Sequence, residues 1–324
     1  MPNLMTHALC ANDALQNFKS ETLLPLIQKY PQVYSMGASG PDFIFYYRVF
    51  PWQDQTQCKD VYGVGNAVHH HHINAFYTSA INYLLNLEDD EQKDILTVFL
   101  AGHLMHWALD TLAHPYVFYH TGEMKGETKY WHYRLESMID TVMVTQIKGM
   151  NLSAFPSGKI VGSSPIVRDC ISRFYNTVVN DVYDIHLGEA IYQECLSSMA
   201  KVANLLFDPS SAKLKWIQSL EKLMKSPWQF SSHVVYGQVD SQRDILNLKH
   251  TPWVHPCDDT DVHTESFVDL YNQAILRGQA TLYAFEGILT HQSSLDQLTQ
   301  ILKDRNYDTG LANPPEMKFY KPIY

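Results

Sequence analysis

Residues 102–115, GHLMHWALDTLAHP, decide the fold of this 324-residue chain. They lie in an apolar run that is typical of a buried helix, yet they contain His103, His106, Asp110 and His114. Polar groups at this density are costly to bury unless each of them has a partner. The stretch therefore predicts a core helix whose polar side chains meet a common partner.

The spacing of these polar residues indicates what that partner is. His106, Asp110 and His114 follow at four-residue intervals, which places them in a stripe along one face of an α-helix. The next predicted helix carries His132 and Glu136 at the same interval. One such pair alone is typical of a solvated helix face. Two pairs on neighbouring helices favour a metal centre, because imidazole nitrogens and carboxylate oxygens are zinc ligands.

Three further residues fit this interpretation. His7 on the first predicted helix and Asp42 in the Gly-rich stretch GASGPDF are additional candidate ligands. Asp140 continues the stripe of the second helix. His103 lies one turn before His106, and we expect it to be a core or supporting histidine rather than a ligand.

Composition and charge narrow the class of protein. Hydrophobic residues make up 45 % of the chain and charged residues 18 %, as in an ordinary globular protein. The net charge of −10 disfavours duplex nucleic acid as the main partner. No signal peptide and no uninterrupted membrane span are recognisable. The five cysteines are scattered, which favours free thiols in a reducing, cytoplasmic compartment.

Helical spacing dominates the whole chain, and alternating runs are too few for a sheet. We predict one all-α domain over residues 1–324, with a metal-binding part at 1–149 and a helical C-terminal part at 164–304. A division near 150–164 is an alternative. The core helix is expected over 88–114, and the acidic residues at its start suit a helix N-terminus.

A long loop is predicted at 227–262, followed by a helix from Val262 to Leu289. The loop is rich in aromatic and imidazole side chains near several aspartates. These side chains could bind a cationic head group, or they could simply pack within the loop. They are Trp228, Phe230, Tyr236, His250, Trp253 and His255.

The order of the candidate ligands resembles the zinc-dependent phospholipase C family, which shares its fold with single-strand-specific nucleases. The family pattern is an early His, an Asp in a Gly-rich loop, a His on the next helix, then HxxxD, another His and HxxxE. The residues that match this pattern over positions 1–145 are His7, Asp42, His69, His106, Asp110, His114, His132 and Glu136.

The resemblance implies a cluster of two or three zinc ions. One ion would be bound by Asp42, His69, His106 and Asp110. Another would be bound by His114, His132 and Glu136. The third would use His7, with Asp110 as a bridge. In secreted members the processed N-terminal residue also binds this third ion, so a two-metal centre is the alternative for a chain without a recognisable signal peptide.

Two ligand assignments stay open at this stage. The run of histidines at 69–72 offers several candidates, of which His69 leaves the following helix its packing face. The family places its later histidine six residues after the aspartate, whereas His114 follows Asp110 by four, so His120 is the alternative ligand.

The resemblance also implies the chemistry, which is hydrolysis of a phosphate ester by water at a zinc cluster, with Asp42 as general base. The expected substrate is a small-molecule or lipid phosphodiester. A metal-stabilised helical binding protein without turnover is the alternative. A phosphohydrolase of the HD type is disfavoured because the chain contains no His-Asp dipeptide. The oligomeric state is not predicted.

Overall fold

The computed structural model describes residues 4–50, 52–225, 229–237 and 242–323. It confirms the all-α class. The α-helices are α1 (Leu4–Ala14), α2 (Leu23–Lys29), α3 (Pro31–Gly37), α4 (Cys58–His70), α5 (Ile73–Leu85), α6 (Asp90–Thr121), α7 (Thr128–Val142), α8 (Ser157–Ile160), α9 (Pro165–Tyr183), α10 (Glu189–Leu206), α11 (Ala212–Met224), α12 (Phe267–Leu289) and α13 (Leu295–Leu302). Short strands form two pairs: β1 (Phe207–Asp208) with β2 (Val235–Tyr236) in parallel, and β3 (Trp253–His255) with β4 (Asp258–His263) in antiparallel.

Helix α6 is the centre of the core. Its N-terminus is capped by the Asp89 side chain, which accepts a hydrogen bond from the Gln92 amide at 2.8 Å. Every residue from Ile95 to Thr111 is buried, with α12 and α3 forming the most extensive contacts. Among the described helices, α6 alone is long and apolar enough to cross a membrane, and 94 % of its apolar window lies inside the fold. A buried core helix passes the same test.

The predicted end of this helix is wrong. Instead of stopping before Pro115, α6 continues for a further two turns to Thr121. Proline removes one backbone donor but does not force an end where packing on both sides stabilises the helix. His120 therefore lies on the continued part of α6, beyond the stripe of His106, Asp110 and His114.

Helices α3 and α6 approach each other at two glycines. A Cβ atom at Gly102 would lie 2.2 Å from the carbonyl oxygen of Tyr34, and one at Gly37 would lie 2.2 Å from that of Phe99. A Cβ atom cannot lie this close to a carbonyl oxygen, so only glycine fits at either position and the two backbones are in direct contact. This contact places the short 3₁₀ turn after α3, Gly40–Tyr46, directly beside the polar stripe of α6.

Asp140 fixes the N-terminus of α1. Its carboxylate accepts hydrogen bonds from the amides of Met5 and Thr6, at 3.3 and 2.8 Å, and from the Thr6 hydroxyl at 2.6 Å. A carboxylate from α7 thus satisfies the free amides of another helix. Asp140 therefore acts as a clamp that sets the position of the next residue in α1, His7.

The C-terminal part departs from the prediction in its loop and in the start of its long helix. The predicted loop at 227–262 contains a 3₁₀ turn at Ser231–His233 and the β3–β4 hairpin. Because that hairpin extends to residue 263, α12 begins at Phe267 rather than at Val262, and Ser266 caps it through a capping box.

We predict that Gly102→Ala destabilises the fold. Alanine improves helix propensity by about 1 kcal/mol, but the clash with α3 is expected to cost more, leaving a net loss of about 2 kcal/mol. The measurement is the denaturant midpoint of unfolding. Gly63→Ala, inside α4 with open space around its Cβ position, is the matched control and should be neutral or stabilising. Equal midpoints for both variants would contradict the close contact.

Candidate metal centre

The structure brings the eight candidate ligands into three groups at the end of one pocket. Within each group, one ligand-type atom from each residue lies within 4.8 Å of the others. The groups are His7 with His106 and Asp110, Asp42 with His69 and His106, and His114 with His132 and Glu136. His106 belongs to two groups, so the first two groups are contiguous.

Asp110 links the three groups. Its Oδ2 lies 2.9 Å from His106 Nε2, and its Oδ1 lies 3.1 Å from His7 Nε2 and 3.5 Å from His114 Nε2. The carboxylate thus faces three imidazoles from α1 and α6 while being only 2 % exposed. This position suits a bridging ligand between neighbouring metal ions.

Asp42 meets the stripe from the 3₁₀ turn. Its Oδ1 lies 3.0 Å from His69 Nε2 on α4 and 3.6 Å from His106 Nε2. The turn reaches this position because Gly40, at φ +52°, has no Cβ; one would lie 2.1 Å from the His106 ring. The stretch GASGPDF thus supplies both the ligand-type residue and the close approach that it needs.

The third group joins α6 to α7. Glu136 Oε1 lies 3.2 Å from His132 Nε2, one turn away on the same helix, and 3.5 Å from His114 Nε2. Glu136 is 1 % exposed, and its other oxygen, Oε2, is buried with no hydrogen-bond partner among the described residues.

Backbone carbonyls orient the rings of the groups. The Nδ1 atoms of His69, His106 and His114 lie 2.7, 3.1 and 3.1 Å from the carbonyl oxygens of Gly65, Ala38 and Tyr307. An Nδ1–H that donates to a carbonyl leaves the Nε2 lone pair free for a metal. Each Nε2 faces a carboxylate, as a ligand set requires.

These residues fit divalent zinc. Zinc–ligand bonds of about 2.0–2.1 Å in tetrahedral geometry separate ligand atoms by about 3.3 Å. The imidazole nitrogens and carboxylate oxygens that face each other within and between the groups lie 2.9 to 3.6 Å apart. His106 Nε2 also lacks a hydrogen bond although it is close to Asp110. Together with the unpartnered Glu136 Oε2, this buried nitrogen is satisfied if both atoms bind a cation.

Electrostatics keeps the two central carboxylates ionised. Burial raises the pKa of Asp110, but the nearby His106, His114 and His7 outweigh burial and hold this pKa well below its ordinary value. Burial also opposes ionisation of Glu136, whose pKa His132 and His114 lower to about 2. Both side chains are therefore anionic acceptors at neutral pH.

For each of the two open ligand assignments, the structure places one candidate histidine in a group of ligand-type residues and the other outside the groups. His69 points to Asp42, whereas His70 turns to Asp308, with its Nε2 at 2.8 Å from Oδ2. His114 lies in the third group. His120 is outside every group and packs on the Tyr116 ring, with the ring centroids 4.4 Å apart.

His103 is also outside the groups. Its Nδ1 and Nε2 lie 2.8 and 2.9 Å from the hydroxyl oxygens of Tyr77 and Tyr175. The fully buried ring is thus satisfied by two tyrosines, and burial holds its pKa well below the ordinary value. The high density of histidines on α6 therefore has two separate causes, the metal-type groups and this tyrosine pair.

Asp308 was missed by sequence reasoning. It comes from the irregular segment after α13 and lies between two imidazoles, 2.8 Å from His70 Nε2 and 3.5 Å from His114 Nδ1. The neighbouring Tyr307 donates its amide to the His69 carbonyl oxygen at 3.0 Å. No spacing in this segment suggests a functional role, because Asp308 reaches the centre only through contacts with residues that are distant in sequence.

Six of the eight ligand-type residues line a pocket of about 720 Å³, namely His7, Asp42, His69, His114, His132 and Glu136. Its remaining lining is largely aromatic, with Phe45, Tyr62, Tyr130 and Tyr133, and it contains the ammonium-bearing side chain of Lys129. A volume of this size accommodates a phosphoester head group.

Of the aromatic and imidazole residues named above for the predicted 227–262 loop, none that the structure describes lines this pocket. Trp253 and Tyr236 are buried elsewhere, and His255 and His250 pair with the carbonyl oxygens of Thr309 and Thr264. Phe230 is exposed away from the lining, and Trp228 lies outside the described residues. Packing and hydrogen bonds to backbone carbonyls, rather than binding of a head group, account for Tyr236, His250, Trp253 and His255.

Comparison with known families agrees with the site. The family model described as zinc dependent phospholipase C matches residues 6–198, which is more than half of the chain and a span that contains the positions of the eight candidate ligands. The chain therefore belongs to the zinc-dependent phospholipase C family. Comparisons with curated proteins and with solved structures return no match. Family membership and the three groups support a zinc hydrolase.

We predict that Asp110→Asn removes most of the bound metal. The amide keeps the shape of the side chain but loses the charge that faces three imidazoles. Elemental analysis of protein purified without chelator measures the zinc content. Asp208→Asn replaces an equally buried carboxylate, one that accepts amide hydrogen bonds of α11, and should retain its zinc. Full zinc content in Asp110→Asn would contradict the linking role of Asp110.

We predict that the free energy of unfolding falls less on acidification in His120→Phe than in the wild-type protein, and that the zinc content is unchanged. Burial lowers the pKa of His120 to about 4. The unfolded chain therefore binds a proton at His120 below about pH 6.5, whereas the folded chain binds it only near pH 4. Stability is therefore lost as pH falls from about 6.5 to about 4, by up to about 3 kcal/mol for this residue. Unfolding midpoints at both ends of this range measure the effect.

The matched control for this experiment is His186→Phe, because the side chain of His186 is 68 % exposed. This variant should leave the acid dependence of stability unchanged. A loss of zinc in His120→Phe would instead indicate that His120 is a ligand.

Proposed function

We propose that this chain is a zinc-dependent hydrolase of phosphate esters, a phosphodiesterase of the phospholipase C type that uses two or three zinc ions. The observation that carries the proposal is the junction of the groups: His106 is shared by two of them, and Asp110 faces imidazoles of both His106 and His114. Adjacent sites that share residues are typical of multinuclear phosphoesterases, whose ions lie about 4 Å apart.

The residues divide into a holding set and a reacting set. The members of the three groups would hold metal through Nε2 and carboxylate atoms, and Asp42 would belong to both sets. Zinc bound there would supply Lewis acidity toward phosphoryl oxygens and lower the pKa of nearby water. Asp42 faces both the metal-type residues and the pocket.

Asp42 is the proposed general base. As the water oxygen bonds to phosphorus, a carboxylate oxygen of Asp42 accepts the water proton, and the bond from phosphorus to the alcohol oxygen breaks with its electron pair on that oxygen. The alkoxide takes up a proton from solvent to leave as the alcohol, and Asp42 returns its proton to solvent, so that the products are an alcohol and a phosphate monoester. The 9 % exposure of its side chain leaves it accessible from the pocket while shielding it from bulk water. No serine or cysteine nucleophile is needed.

The pocket lining supports a phosphodiester with an organic head group. Lys129 supplies positive charge for the phosphate, and its ammonium lies 4.8 Å from the Tyr130 ring centroid. Phe45 and Tyr62 supply apolar walls. A reducing compartment remains our proposal for the protein, supported by five cysteines that are all buried and free.

The test combines metal analysis with hydrolysis. Protein purified without chelator should contain about two to three zinc ions per chain and should hydrolyse bis(p-nitrophenyl) phosphate and a short-chain phosphatidylcholine. Chelation should abolish hydrolysis, and added zinc should restore it. A zinc-loaded protein that unfolds on chelation but hydrolyses neither substrate would instead support the binding-protein alternative.

We predict that Asp42→Asn lowers kcat by about 10²- to 10⁴-fold, because the amide cannot accept the water proton. Steady-state kinetics on the soluble diester measures the loss, and zinc content is measured on the same sample. Asp60→Asn changes an exposed carboxylate on α4 and should leave kcat unaltered. Near-normal kcat in Asp42→Asn with full zinc content would rule out Asp42 as the base.

A further inference from the structure

Helix α11 leaves a wide apolar face uncovered. Trp216, Leu220 and Leu223 follow at helical spacing and are 70, 38 and 80 % exposed. The covered side of the helix is formed by Leu214 and Glu221. An exposed row that contains a Trp and two Leu is unusual for a surface that contacts only water.

Segments attached to this helix extend the apolar surface. Leu205, at the end of α10, is 54 % exposed, and its carbonyl oxygen accepts a hydrogen bond from Lys213 of α11 at 3.2 Å. Phe230 is 42 % exposed and donates its amide to Glu221 at 2.6 Å. We name the five side chains Leu205, Trp216, Leu220, Leu223 and Phe230 the α11 patch.

The exposed charged side chains of α11 and of its C-cap residue are lysines, although the whole chain has a net charge of −10. Lys215, Lys222 and Lys225 are exposed. The acidic residue of the helix, Glu221, is buried, and its oxygens accept hydrogen bonds from Phe230 and Ser231. The exposed charge of α11 is therefore cationic, which complements an anionic surface.

The α11 patch is connected to the mouth of the pocket. The Ser231 amide and hydroxyl are hydrogen-bonded to Glu221, and His233, two residues further, lines the pocket. The His233 ring lies on Tyr133 with centroids 4.2 Å apart. The segment that joins the α11 patch to the pocket is thus only a few residues long.

We propose that the α11 patch docks this protein on a membrane surface that contains anionic lipids. An amphipathic helix with Trp and Leu on one side and Lys on its polar side is suited to lie in the plane of the lipid interface. The inference deepens the proposed function and rests on it for one point only, that the substrate is a lipid phosphoester met at the membrane.

Self-association through this face is disfavoured by its charge. A two-fold dimer brings the same patch of both copies together, so Lys215, Lys222 and Lys225 of one copy would approach those of the other. The buried Glu221 offers no compensating charge. An anionic lipid surface, by contrast, attracts the same lysines.

Vesicle co-sedimentation tests the docking directly. Wild-type protein should sediment with vesicles of phosphatidylcholine and phosphatidylserine, less with pure phosphatidylcholine, and less at high salt. The double variant Trp216→Ala/Leu223→Ala should bind at least about tenfold more weakly. Leu276→Ala, which removes a 68 % exposed leucine from α12, is the control and should bind normally.

Activity separates this inference from the proposed function. The double variant should hydrolyse the soluble diester at the wild-type rate and lose activity only on lipid in vesicles. Vesicle binding without hydrolysis of any diester would defeat the proposed function and leave the docking intact. The docking is overturned if wild-type protein does not sediment with anionic vesicles, if the double variant binds as well, or if the patch proves to mediate a dimer.

Discussion

The buried charge of Asp110 is the constraint around which the other elements are arranged. A carboxylate that is 2 % exposed within α6 is stable only if partner groups surround it and its charge is compensated. Those groups arrive from two directions: His7 from α1, and His106 and His114 from the turns of α6 before and after it. Packing of α1 and of the core helix is thus coupled to the electrostatics of one side chain, and a divalent cation would strengthen that coupling.

Much of this arrangement could be predicted from local sequence. Four-residue spacing on an apolar helix is enough to predict that His106, Asp110 and His114 share a buried face, and the same rule applies to His132 and Glu136. The Gly-rich turn could be connected to the stripe only through the family resemblance, because its contact with α6 depends on glycines far apart in sequence. Periodicity describes one element at a time and does not show which elements touch.

The errors have the same origin. The core helix is predicted to stop at residue 114, but α6 continues through Pro115, because packing on both sides overrides a single lost hydrogen bond. Thr6 was not recognised as a partner of Asp140, nor Asp308 as a partner of His70 and His114, because each pair joins residues more than a hundred positions apart. Such pairs have no local signature.

Asp308 also bears on how the centre comes into being. It lies about 300 residues after His7, and both belong to the same constellation. A growing chain emerges with its early histidines and acids long before residue 308 has been synthesised. The early segments can form their helices as they emerge, but the orientation of His114 that depends on Tyr307 and Asp308 has to wait. All eight candidate ligands are therefore synthesised before the residues that orient His114, and metal that binds earlier meets a His114 ring without its contacts to Tyr307 and Asp308.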